Sequence, residues 1–162
     1  MKRFTAGLAL ALAALGSLAH DGPHEPAKAY DYARAPQLAF GRAADPAKAT
    51  RVVSMEMNDT MRYTPSEITV RRGEVVRFEV VNKGAVMHEM VLGTAAELKQ
   101  HAEMMRKHPD MQHDEPYMLH VAPGGRGAMG WSFNKAGEFL YGCLLPGHFE
   151  AGMVGHITVT ER

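Results

Sequence analysis

The chain has 162 residues, and its 18 basic residues balance 18 acidic ones. That balance gives no electrostatic footprint for a nucleic-acid partner, and the length suits one full-sized hydrophobic core without a second domain. The single cysteine excludes an intramolecular disulfide.

In chain order, Met1-Lys2-Arg3 is basic, Phe4 to Leu15 is an Ala- and Leu-rich apolar run, and Ser17-Leu18-Ala19 is small and uncharged. This is the order of a secretory signal peptide over residues 1–19, with cleavage expected after Ala19. The run is too short to cross a bilayer comfortably, so no stable membrane insertion is expected. Loss of Lys2 and Arg3 leaves 16 basic against 18 acidic residues, a net −2. An exported protein with one unpaired thiol needs a reason for that thiol.

Residues 20–50 are rich in Ala, Pro, Asp and Lys without a sustained period, and read as a flexible N-terminal arm or loosely packed lead-in. The main domain then spans 51–162. Strands are expected at Val52–Met57, Ile68–Val70, Val75–Val81 and Glu89–Leu92. Thr94-Ala95-Ala96-Glu97 has capping-box spacing and opens a helix to about Lys107, with Leu98, His101, Met104 and Met105 on one face. Pro109 ends it, and the stretch to Glu115 reads as loop. Further strands are expected near Ala128–Phe133, Glu138–Cys143 and Gly155–Thr160. Seven or eight short strands with one helical insertion predict an all-β, Greek-key sandwich.

The chemistry concentrates in Cys143-Leu144-Leu145-Pro146-Gly147-His148-Phe149-Glu150-Ala151-Gly152-Met153. Thiolate, imidazole and thioether together suit copper in its two oxidation states. Pro146-Gly147 and Gly152 allow the bends that would wrap this loop around one ion. A second imidazole must come from another strand. His88, after the Asn82-Lys83-Gly84 turn, is the best candidate, and His120 is its chief competitor. Other soft donors are Met55, Met57 and Met61 in one group and Met104, Met105, His108, Met111 and His113 in another. Met55 and Met57 share a strand face, which also suits a core role. His20 and His24, near the expected mature terminus, are candidate Cu(II) donors. No hydrolase triad, phosphate loop or hydrolase-like metal motif is present, so the chain reads as an electron-transfer or copper-handling protein rather than an enzyme.

The Cys-x4-His-x4-Met loop and the upstream His after an Asn-containing turn resemble the cupredoxins, with a ligand-loop spacing similar to rusticyanins and auracyanins. The resemblance covers about residues 52–160 and implies one type 1 copper bound by His88, Cys143, His148 and Met153. The Met/His-rich insertion departs from small plastocyanins and looks more like periplasmic cupredoxins associated with copper resistance. It implies a periplasmic protein contributing to copper resistance by copper binding and one-electron transfer, with a periplasmic redox protein or copper oxidase as partner. A diffusible electron carrier for a respiratory copper or haem enzyme, and a non-redox copper-binding interaction module, are the alternatives.

Overall fold

The computed structural model describes residues 30–111 and 113–161, so the expected signal segment, His20 and His24 lie outside the described residues. The strands are β1 (Arg42–Ala43), β2 (Arg51–Asn58), β3 (Arg62–Thr64), β4 (Glu67–Arg71), β5 (Val75–Asn82), β6 (His88–Gly93), β7 (Met118–Val121), β8 (Arg126–Ser132), β9 (Gly137–Gly142) and β10 (Val154–Thr160), with helix α1 (Ala95–Lys107) between β6 and β7. They form two five-stranded sheets, ordered β1-β8-β5-β2-β3 and β4-β10-β9-β6-β7. The pairings β2–β5 and β4–β10 are parallel and the others antiparallel. This is the expected Greek-key-like sandwich with a helical insertion.

Alternation builds the core. Val53, Met55 and Met57 on β2 and Val76, Phe78 and Val80 on β5 point inward, meeting Ile68 and Val70 of β4 and Ile157 and Val159 of β10. Each fully buried side chain of this size is worth about 1.5–3 kcal/mol. Strand β6 breaks the alternation, because all six of its residues are buried. The reason is α1, whose Leu98, Ala102 and Met105 pack with Val91, Met118 and Leu144 and cover the outer side of that sheet. Thr94 caps the helix through the expected box, accepting from Glu97 N–H while the Glu97 carboxylate accepts from Thr94 N–H.

Two expectations change. Residues 31–50, read as part of a flexible arm, belong to the same compact unit as the sandwich. Phe40 stacks on Trp131 at a centroid distance of 5.1 Å, the Trp131 indole donates to Phe40 O at 2.8 Å, and β1 pairs with β8. One buried aromatic anchor outweighs a polar, aperiodic composition. Strands β1, β3 and β7 also add to the seven placed from the sequence. At two to four residues they are too short to carry a period.

Candidate metal centre

Three of the chemically suited side chains meet at one end of the sandwich. His88 opens β6, Cys143 follows β9, and His148 lies in the loop between β9 and β10. Their ligand-type atoms all lie within 4.8 Å of one another, the one such cluster of three among the described residues. The Cys143 Sγ is 3.2 Å from His148 Nδ1, and the His88 and His148 rings are 5.1 Å apart.

The loop holds its shape through its own backbone. His148 N–H donates to Leu145 O at 3.0 Å, Met153 N–H to His148 O at 3.0 Å, and Cys143 N–H to Met153 O at 3.1 Å. Cys143 and Met153 therefore sit side by side although ten positions apart. Gly147 and Gly152 take φ of +87° and +91°, the left-handed region in which a side chain would be strained. Met153 is completely buried beside the cluster, in the main core.

The His88 ring is positioned from its Nε2 side. Its Nε2 faces Asp59 Oδ1 at 3.0 Å, while its Nδ1 is buried and has no hydrogen-bond partner. A buried imidazole nitrogen without a partner is costly unless something else fills the role, and the free nitrogen belongs to the residue that clusters with Cys143. Asp59 also accepts from Ala85 N–H at 2.7 Å. That bond, followed by the one to His88, holds its carboxyl below the ordinary value. A Cβ at Gly84 would stand 1.9 Å from Asp59 Oδ1, so this approach requires glycine. Asn82 completes the support, donating to Val86 O at 2.8 Å and Val121 O at 2.9 Å and accepting from Gly84 N–H.

Glu89 ties the two halves together. Its N–H donates to Cys143 Sγ at 3.5 Å, and its carboxylate accepts from Leu144 N–H at 2.7 Å and contacts His120 Nε2 at 2.9 Å. The Tyr63 hydroxyl donates to Glu89 O at 2.6 Å. Burial pushes the Glu89 carboxyl up, opposed by the Leu144 N–H and the charge of His120. Burial also pushes the Cys143 thiol up to about 12, against the N–H of Glu89. The metal-free thiol thus keeps its proton, and a bound cation would supply the charge that a thiolate needs there. Burial lowers the His148 pKa, so its ring is neutral and able to donate a lone pair. The donor set and the unpartnered His88 nitrogen fit a soft, thiolate-preferring ion such as copper.

The other candidates fall elsewhere. His120 pairs across β6–β7 with Glu89, not His88, and so faces away from the cluster. Met55 and Met57 are fully buried space-fillers in the core, Met61 packs partly buried against it, and His108 caps α1 in an exposed position. Met105 packs beneath α1, while Met104 and Met111 are exposed. Asp59 and Glu89 escaped sequence reasoning. The only local sign of Glu89 is a lone charge at the head of the apolar run Met90-Val91-Leu92.

Residues 49–160 match the model of the copper binding proteins of the plastocyanin/azurin family. The chain is 52% identical over 140 residues to the copper-resistant cuproprotein CopI of Rubrivivax gelatinosus, covering 86% of this chain and 82% of the relative. It is 35% identical to the protein of the same name from Pseudomonas aeruginosa, covering 75% of this chain and 82% of that one. A structure of auracyanin B superposes with a TM-score of 0.61 at 23% identity, covering 78% of this chain and 98% of that one, and supports the fold.

Proposed function

This chain belongs to the plastocyanin/azurin family of copper-binding proteins, and from that premise we propose that it is a periplasmic copper-tolerance protein holding one type 1 copper on His88, Cys143, His148 and Met153. The observation that carries the proposal is the convergence of His88, Cys143 and His148 around a buried thiol, with His88 Nδ1 left unpartnered. The name of the 52%-identical relative, a copper-resistant cuproprotein, supports the cellular role. The basic-apolar-small order of residues 1–19 supports export.

Copper bound there supplies a one-electron couple between its cuprous and cupric states. The protein's part is restraint. Asp59 fixes the His88 ring, Glu89 N–H donates to the Cys143 sulfur and would draw electron density from a copper-bound thiolate there, and the Glu89 carboxylate anchors Leu144 at the start of the loop. Such outer bonds limit rearrangement between oxidation states. His148 is the partly exposed member of the cluster, so its ring edge is the route by which an electron enters or leaves. Copper held by His88, Cys143, His148 and Met153 would have four protein donors and no position left for a substrate, which favours electron transfer and copper handling over independent catalysis. The corresponding partner is a periplasmic redox protein or copper oxidase.

A second reading, a diffusible electron carrier, is favoured by Val86 and Met87. Both are 45% exposed immediately before His88 and offer an apolar rim for docking. Growth of a deletion strain in added copper separates the two. Tolerance predicts copper sensitivity with normal respiration, rescued by the wild-type gene and not by Cys143→Ser. Carriage predicts a respiratory defect without copper sensitivity.

A further inference from the structure

We propose that His101 and His113 form a second copper site, selective for the cuprous ion and completed by the thioether of Met111. His101 projects from α1 and His113 from the segment after it, and their Nε2 atoms approach to 2.6 Å. The rings are 4.6 Å apart and tilted by 47°, and the two Nε2 atoms face each other. Packing alone does not account for this pair. His113 Nδ1 is buried with no hydrogen-bond partner, so among the described residues the ring's hydrogen-bond contact is through the nitrogen that faces His101. Burial, then the neighbouring His113, lowers the His101 pKa, so the imidazole is neutral at neutral pH and available as a ligand.

The surroundings supply sulfur. Met111 and His113 line both of two adjoining cavities, of about 690 and 420 Å³. Met104 lines the second of these with His101. Met104 and Met111 are 40% and 41% exposed, so neither is committed to the core. Two imidazoles with an adaptable thioether are a soft donor set that suits Cu(I) over hard cations, which prefer oxygen cages. Opening the nitrogen pair to admit an ion asks only for movement of one helix side chain and one segment outside the strands.

The site is separate from the Cys143 cluster, and the proposal does not depend on how that cluster functions. The nearest link is His120, whose ring lies 6.4 Å from His113 and whose Nε2 contacts the Glu89 carboxylate. Glu89 thus stands between the two sites.

The test is an anaerobic titration of Cu(I) against a chromophoric Cu(I) chelator, with wild type compared with H101Q, H101Q/H113Q and Cys143→Ser. His101 is partly exposed on a helix and Gln is a good helix former, so H101Q is expected to fold. Its copper-loaded visible spectrum, unchanged from wild type, checks that. H101Q and the double variant are each expected to lose one equivalent of chelator-resistant copper that Cys143→Ser keeps. The proposal is overturned if wild type and both histidine variants hold the same number of equivalents, or if Cys143→Ser loses the equivalent that depends on His101.

Discussion

The two places where imidazole and sulfur meet in this protein are built in opposite ways. Around Cys143 the donors hang from β6 and from a loop pinned between β9 and β10, where Asp59 holds the His88 ring, Glu89 accepts from Leu144 N–H, and Asn82 and Tyr63 donate to the carbonyls of Val121 and Glu89. Around His101 and His113 the donors come from a helix surface and a segment outside the strands, with Met104 and Met111 exposed. The first arrangement is preorganised and tolerates little movement, which suits the proposed electron-transfer role. The second can adapt, as a site that captures and releases an ion requires. The two proposed sites would then place copper chemistry of two kinds in one small sandwich, divided by the buried carboxylate of Glu89.

That contrast can be broken by experiment. The largest expected effect is Glu89→Ala, which strands the Leu144 N–H and frees His120. Metal-free protein should lose about 2–3 kcal/mol in denaturant unfolding, and an unchanged midpoint would remove Glu89 from its place as the tie. Asp59→Ala comes next. Without the carboxylate the His88 ring loses its orientation, and copper affinity of the Cys143 site should fall roughly tenfold to a hundredfold in competition titrations, with fold stability little changed.

A third expectation concerns pH. With the Cys143 thiol raised to about 12 and His148 neutral, loading this site at pH 7–9 should release one proton per copper. Apparent affinity should then rise about tenfold per pH unit, which calorimetry in buffers of different ionisation heat will check. The same shift makes the metal-free fold lose stability as pH climbs from 9.0 towards about 12, because the unfolded thiol ionises first. The smallest effect sharpens the contrast by its absence. Met104→Leu conserves volume on an exposed helix position, so the visible spectrum of the Cys143 site should not change and stability should move by less than about 0.5 kcal/mol.

What the sequence revealed follows the range of the interactions involved. The loop from Cys143 to Met153 is local, so spacing and glycines exposed it. His88 was legible because a turn and a strand start place it. The sandwich was legible wherever strands were long enough to alternate, as β2, β5 and β10 are. Asp59 and Glu89 were not, because their partners are set by turn geometry and strand register across 29 to 55 positions. The packing of 31–50 turned on one aromatic, Phe40, against a polar background. His101 read as a core-facing helix residue until the path after Pro109 brought His113 to it.

The most direct test of the central claim is the visible absorption and electron paramagnetic resonance of oxidised, copper-loaded mature protein, beside Cys143→Ser with metal content quantified. Intense thiolate-to-copper charge transfer is expected in the wild type, and its loss in the variant. Stoichiometric copper in the wild type without a Cys143-dependent band would contradict it.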